Sequence, residues 1–261
     1  MRWADQGAGK MPVVLIHGIP ASPQLWRNVV PLLQTRSLAW EMVGYGGSWQ
    51  EAARNDISVA AQAEFLSGWL ATVGIQRAVL VGHDLGGGVA QIAAVRQPEL
   101  CAGLVLTNAI CYDSWPIPSV KALRSIGGLV GRTPPRAFRL LFSAFLRQGH
   151  DDAQVAADSI AAHWPYYDHE AGARAFVRQV RSLDVNDTLE ISGRLSELKV
   201  PGRVVWGAAD RFQKIAYGQR LAHDLRIELD VIEGGKHFTP EDHPERLAAA
   251  VNAVVKERAD E

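Results

Sequence analysis

Three residues of reactive type stand just beyond three strand-like segments. Asp84 follows Ala78 to Val81, in the turn Gly82-His83-Asp84-Leu85-Gly86. Asp210 follows Gly202 to Trp206, in Trp206-Gly207-Ala208-Ala209-Asp210. His237 follows Arg226 to Ile232, in Gly234-Gly235-Lys236-His237-Phe238. A carboxylate can displace a leaving group at a saturated carbon and hold the product as an ester. An imidazole oriented by a second carboxylate can then activate the water that cleaves that ester. The turn around Asp84 has the form G-x-D-x-G, the nucleophile-elbow pattern with a carboxylate in place of the hydroxyl. Its glycines let strand and helix approach closely while the residue between them takes a strained conformation. A helix opening at Leu85 supplies free N–H groups and a dipole that favour an anion there.

Each residue alone also has a plain structural reading. Asp84 and Asp210 are good helix N-caps, and His237 could be an ordinary loop histidine. The three together, at three strand ends, are far more specific. His243 is the weaker choice of histidine, because Pro244 and Glu245 after it mark a helix start. The glycine cluster does not make a dinucleotide fingerprint: Gly82, Gly86, Gly87 and Gly88 do not give G-x-G-x-x-G.

Elements that could position these residues are legible along the chain. The segments Pro12–Ile16, Leu38–Val43, Arg77–Val81, Ala102–Thr107, Gly202–Trp206 and Arg226–Ile232 read as strands, most of them in buried-type sequence. Helical spacing fills the intervals at Leu25–Leu33, Val59–Val73, Leu85–Arg96 and Ile215–His223, and closes the chain at Pro244–Lys256. This alternation predicts an α/β fold with a doubly wound, mostly parallel sheet. In such a sheet the carboxyl ends lie along one edge, so Asp84, Asp210 and His237 can meet. The alternation breaks between Cys111 and Leu198. There the pieces Val120–Val130, Pro135–Leu146, Ala153–His163, Ala171–Ser182 and Leu189–Leu198 all read as helix. The expected organisation is therefore a core domain of residues 1–110 and 199–261 with an inserted helical cap of residues 111–198.

Bulk properties narrow the partners. Net charge is −1 across 261 residues, so no general attraction to nucleic acid or to an anionic membrane is expected. No apolar run reaches the eighteen or so residues of a membrane span, and the polar start holds no apolar leader segment. Cys101 and Cys111 have no metal spacing and read as free thiols in a reducing compartment, so a cytoplasmic location is expected. Eight tryptophans are many for this length; tryptophan usually serves core packing, but a surplus can also line an apolar pocket. The expected reactants are a small apolar organic substrate and water.

The motifs together resemble a known family. His17-Gly18-Ile19-Pro20, Gly44-Tyr45-Gly46-Gly47-Ser48, the Asp84 turn, Trp206–Asp210 and Gly235–Phe238 span most of the chain. They resemble the α/β-hydrolase superfamily, specifically the Asp-nucleophile branch of epoxide hydrolases and haloalkane or haloacid dehalogenases. The resemblance implies Asp84 as nucleophile, His237 as base and Asp210 as the acid that orients it. It implies an oxyanion hole from the N–H groups of Ile19 and Leu85, and it requires no metal or organic cofactor. Dehalogenases usually place Trp after the nucleophile and often Asn in the H-G-x-P loop, where this chain has Leu85 and Ile19. Haloacid-type members usually carry Arg after the nucleophile, which is missing. Epoxide hydrolysis to a diol is accordingly the leading expectation, ahead of a dehalogenase. An ester or lactone hydrolase, and a catalytically silent ligand-binding protein, stand further off.

Ring opening needs proton donors from the cap. Tyr166, Tyr167, His163 and Trp164 are candidates, with Tyr112 and Trp115 at the cap entrance; the alternative is that these aromatics simply pack the cap. Family members usually begin with a hairpin, and only ten residues precede Met11. About seven strands are expected, the first reduced or missing.

Overall fold

In the computed structural model, which describes residues 1–259, the six expected strand segments and a short first strand form one seven-stranded sheet. Its strands are β1 (Trp3–Gln6), β2 (Val13–Ile16), β3 (Ser37–Trp40), β4 (Ala78–His83), β5 (Cys101–Thr107), β6 (Gly202–Gly207) and β7 (Glu228–Ile232). Their order is β1-β3-β2-β4-β5-β6-β7. All pairings are parallel except β1 with β3. Every residue of β2, β4 and β5 is buried, as their uninterrupted apolar sequences require for strands covered on both faces.

The first strand is present, though only four residues long. Trp3 pairs with Trp40, and the ion pair Arg36–Asp5 at 2.7 Å fastens its far end. All four residues are exposed, so the strand lacks the apolar run by which the others are legible.

The helices are α1 (Val59–Thr72), α2 (Leu85–Arg96), α3 (Pro118–Ser125), α4 (Gly127–Val130), α5 (Pro135–Gly149), α6 (Ala153–His163), α7 (Gly172–Arg181), α8 (Asn186–Ser192), α9 (Ile215–Leu225), α10 (Thr239–Asp242) and α11 (Pro244–Ala259). α2 is buried on every side from Leu85 to Val95, between α1 and strands β4 and β5. α9 packs on β6 and β7, and α11 on β5 and β6. Leu25–Leu33 is not one helix: two 3₁₀ turns, Pro23–Trp26 and Val30–Leu32, each carry a proline in their first turn. Val120–Val130 is likewise divided at Ile126 into α3 and α4.

Helices α3 to α8 lie between β5 and β6 in sequence, with no strand among the described residues of that interval. An aromatic cluster of Phe138, Phe142, Trp164, Tyr167 and Phe176 packs α5, α7 and the turn after α6 against one another. Among the described residues no helix is long and apolar enough to cross a membrane.

Candidate active site

The turn between β4 and α2 sets the geometry. Asp84 has φ 51° and ψ −119°, a left-handed conformation that is costly for a residue with a Cβ. It is held because the flanking chain leaves no alternative. A Cβ at Gly86 would meet the carbonyl oxygens of Ile16 and His17, and one at Gly82 would meet Gly86 and Gly87. The strand–helix corner can close this tightly only with glycine at both positions.

The Asp84 carboxylate is buried, and its two oxygens face different partners. Oδ2 accepts a hydrogen bond from the Ile19 N–H at 3.0 Å. The Leu85 N–H adds a second interaction that favours the anion. Oδ1 lies 3.9 Å from His237 Nε2, too far for a direct hydrogen bond. Burial pushes the Asp84 carboxyl above its ordinary range, opposed by His237 and by the two N–H groups.

His237 is fixed from its other side. Its Nδ1 lies 2.8 Å from Asp210 Oδ2. Burial works to lower the His237 pKa, but the charge and hydrogen bond of Asp210 raise it above the usual histidine value. Asp210 is saturated in turn: Oδ1 accepts from the Phe212 N–H at 2.7 Å, and Oδ2 also accepts from Asn108 Nδ2 at 2.6 Å. Beneath the imidazole, His83 Nε2 donates to the His237 carbonyl at 3.0 Å. Burial holds His83 well below its ordinary pKa, so it stays neutral.

Asn108 was not picked out by sequence motifs. It sits directly after β5 and bonds Asp210, the Lys236 carbonyl, the Gly207 N–H and Thr239. It thus ties the ends of β5 and β6 to the His237 loop. The only sequence signal for it is a polar pair, Thr107-Asn108, closing an apolar strand.

Asp84 and His237 open on a narrow cavity of about 30 Å³, room for about one water. Its walls are apolar: Ile19, Leu85, Ile110 and Phe212 from the core, with Ile117, Val120 and Phe145 from the helical segment. Besides Asp84 and His237, its polar side chains are the Gln213 amide and the Trp115 indole. The Trp115 N–H is already donated to Thr188 Oγ1 at 2.7 Å, so Trp115 offers the cavity only ring surface.

Of the aromatic and histidine candidates, Trp115 alone reaches this cavity. Tyr112 donates its hydroxyl to Asp224 at 2.7 Å, and its ring lies under the Arg220 guanidinium, facing α9. Tyr167 donates to Gln179, which in turn donates to the Gly44 carbonyl. Trp164 packs on Phe138 and Phe142. Tyr166 is half-buried and outside the cavity wall. His163 lies 3.0 Å from Ser22 Oγ and 3.5 Å from the Glu241 carboxylate. These five serve packing or the attachment of the helical segment to the core.

A protein-family model described as the alpha/beta hydrolase fold matches residues 11–244. A 2-hydroxy-6-oxononadienedioate/2-hydroxy-6-oxononatrienedioate hydrolase of Paraburkholderia phymatum is 28% identical, over 95% of this chain and 88% of its own length. Haloalkane dehalogenase 2 of Mycobacterium tuberculosis is 24% identical, over 96% of this chain and 90% of its own. The crystal structure of an alpha/beta hydrolase fold protein from Burkholderia ambifaria superposes with a TM-score of 0.88 at 27% identity, covering 95% of this chain and 92% of that one.

Proposed function

Because the chain belongs to the alpha/beta hydrolase fold family, we propose that it is a hydrolase in which Asp84 attacks a saturated carbon and the resulting ester is cleaved by water that His237 activates. The observation that carries this reading is the division of labour between the two Asp84 oxygens. Oδ2 is already held by the Ile19 N–H and favoured by Leu85, while Oδ1 is left toward the cavity and His237. A serine in this place would leave those donors for a substrate carbonyl. Here they hold the carboxylate, and they remain in place when its carbon becomes tetrahedral during hydrolysis. One such donor typically contributes about 10²–10³ in rate. Asp210 keeps Nδ1 of His237 protonated and Nε2 free to take a proton from water.

We read residues 111–198 as a cap, since Ile117, Val120 and Phe145 wall the cavity opposite Asp84. The wall suits a small apolar substrate. Of the two leaving groups considered, this cavity suits halide better than an epoxide oxygen. An alkoxide must be protonated as the ring opens, and none of Tyr112, Tyr166, Tyr167 and His163 lines the cavity. A halide departs with its electron pair and needs no proton.

Replacing His237 with Gln should leave the first step intact and block the second. Incubation with 1-bromobutane should then add a butyl group to the peptide containing Asp84, read by mass spectrometry. In wild-type enzyme in ¹⁸O water, first-turnover alcohol should be unlabelled and the label should enter Asp84. An unmodified peptide in a variant of an enzyme that turns over, or label in the first product, would rule out the covalent route.

A further inference from the structure

Gln213 is the group in the cavity that no step above uses. It stands three residues after Asp210 and is 3% exposed. Its backbone carbonyl accepts the Trp206 indole N–H at 2.9 Å, which anchors the main chain there. Its side-chain Oε1 is buried with no hydrogen-bond partner among the described residues, so nothing pins the amide and its N–H is not committed to another group. A buried amide group without a partner destabilises the fold unless a ligand satisfies it. Gln213 lines the same water-sized cavity as Asp84 and His237.

Resting on the Asp84 reading, we propose that Gln213 is the leaving-group donor of this enzyme: its amide N–H binds the halide expelled from a small haloalkane. The Asp84 Oδ1 lone pair forms the new O–C bond, and the carbon–halogen bond breaks with its electron pair going to the halide. No proton moves in this step, so a neutral amide is sufficient. Water then adds to the ester carbon, giving one proton to His237, which passes it to the departing alcohol. One halide and one proton leave per turnover. The positions next to Asp84 that could hold a side-chain donor are Leu85 and Ile19, both apolar, and the Trp115 N–H is committed to Thr188. Among the described residues that line the cavity, Gln213 is then the one side chain besides His237 with an uncommitted N–H to offer the halide. A single donor should make the enzyme strongly dependent on intrinsic leaving-group ability.

The test follows butyl-enzyme formation in a His237→Phe background, which blocks ester hydrolysis without adding a donor to the cavity, with 1-chloro-, 1-bromo- and 1-iodobutane and with 1,2-epoxybutane. Adding Gln213→Leu should slow alkylation by bromobutane about 10–100-fold, the range of one hydrogen bond to a charged group. The loss should be larger for chloride than for iodide. In otherwise wild-type enzyme, Gln213→Leu should weaken product inhibition by bromide and leave the unfolding midpoint equal or higher, because it removes an unpartnered amide. An unchanged alkylation rate overturns the proposal. So does a loss equal across the three halides with a lowered unfolding midpoint, since that describes packing. Alkylation by the epoxide alone overturns the leaving-group assignment and keeps Asp84 as nucleophile. No adduct from any of the four removes the nucleophile reading, and this inference with it.

Discussion

Asp84→Asn should lower turnover by about 10⁴-fold or more while leaving the fold intact, the scale of loss seen when a covalent nucleophile is removed. Asparagine matches aspartate in shape and is among the few residues that tolerate positive φ, so the strained turn is preserved. Its amide oxygen can still accept from Ile19 and Leu85, but it cannot displace a leaving group. The buried carboxylate is held against a desolvation cost that also raises its pKa. Removing that charge should therefore keep or raise the unfolding midpoint. Full turnover in the variant, with the Asp84 peptide at the asparagine mass, would show that Asp84 is a structural cap. The same raised pKa bears on pH dependence. The nucleophile must be ionised, so alkylation should fall on acidification through a pKa above the ordinary carboxylate range. Measuring the alkylation rate of the His237→Gln enzyme against pH isolates that limb.

Glu241→Gln should produce the largest loss of stability, about 3–5 kcal/mol, the cost of breaking a buried ionic group from one side. For a chain of this size that is roughly 10 °C in the unfolding midpoint. Glu241, on α10, is buried and pairs with Arg27; it accepts from Ser159 at 2.7 Å and lies 3.4 Å from His150 and 3.5 Å from His163. His150 also lies 3.1 Å from Asp242. Ser159 and His163 belong to α6 and His150 precedes it, so this cluster fastens the helical segment to the core. Burial works to raise the Glu241 pKa, but His150, His163 and Arg27 hold it well below its ordinary value. Burial works to lower His150, and Asp242 with Glu241 raise it to about 9. The Glu241 contribution is present above its unfolded pKa near 4.5 and is lost as pH falls through the depressed folded value. The His150 contribution is present below 6.5 and is lost as pH rises through about 9. Wild-type stability should be highest between these limits and decline from about pH 6.5 toward 9. In Glu241→Gln the alkaline decline should shrink, because a neutral amide no longer favours the charged imidazole. Denaturant unfolding from pH 4 to 9.5 measures both; an identical alkaline decline in the variant would remove Glu241 from the linkage.

The sequence alone determined the parallel sheet and where its reactive residues stand. Apolar runs such as Val79–Val81 and Val204–Trp206 are unambiguous because a strand covered on both faces has no polar side to disguise it. Glycines at 82 and 86 marked a corner no other residue could turn. Asp84, Asp210 and His237 then met because parallel strands share one carboxyl edge, a consequence of topology that needs no contact information. Edge strand β1 is as reduced as expected and its exposed residues give no apolar run to place it by, and the Leu25–Leu33 segment is not one helix because Pro23 before it and Pro31 within it open short 3₁₀ turns.

Tertiary structure decided what surrounds those three residues. The motif Trp164-Pro165-Tyr166-Tyr167 reads as a set of acids, yet its members pack the helical segment or lie outside the cavity. Gln213 and Asn108 belong to no motif, but one lines the cavity with an unpartnered amide and the other anchors the Asp210 carboxylate. Glu241 has the same character: nothing in Thr239-Pro240-Glu241-Asp242 announces a buried hub. The physical reason is common to all. Strand periodicity is a local property of the chain, whereas the partner of a side chain across a cavity comes from a segment roughly a hundred residues away, and only packing decides which groups are left facing each other.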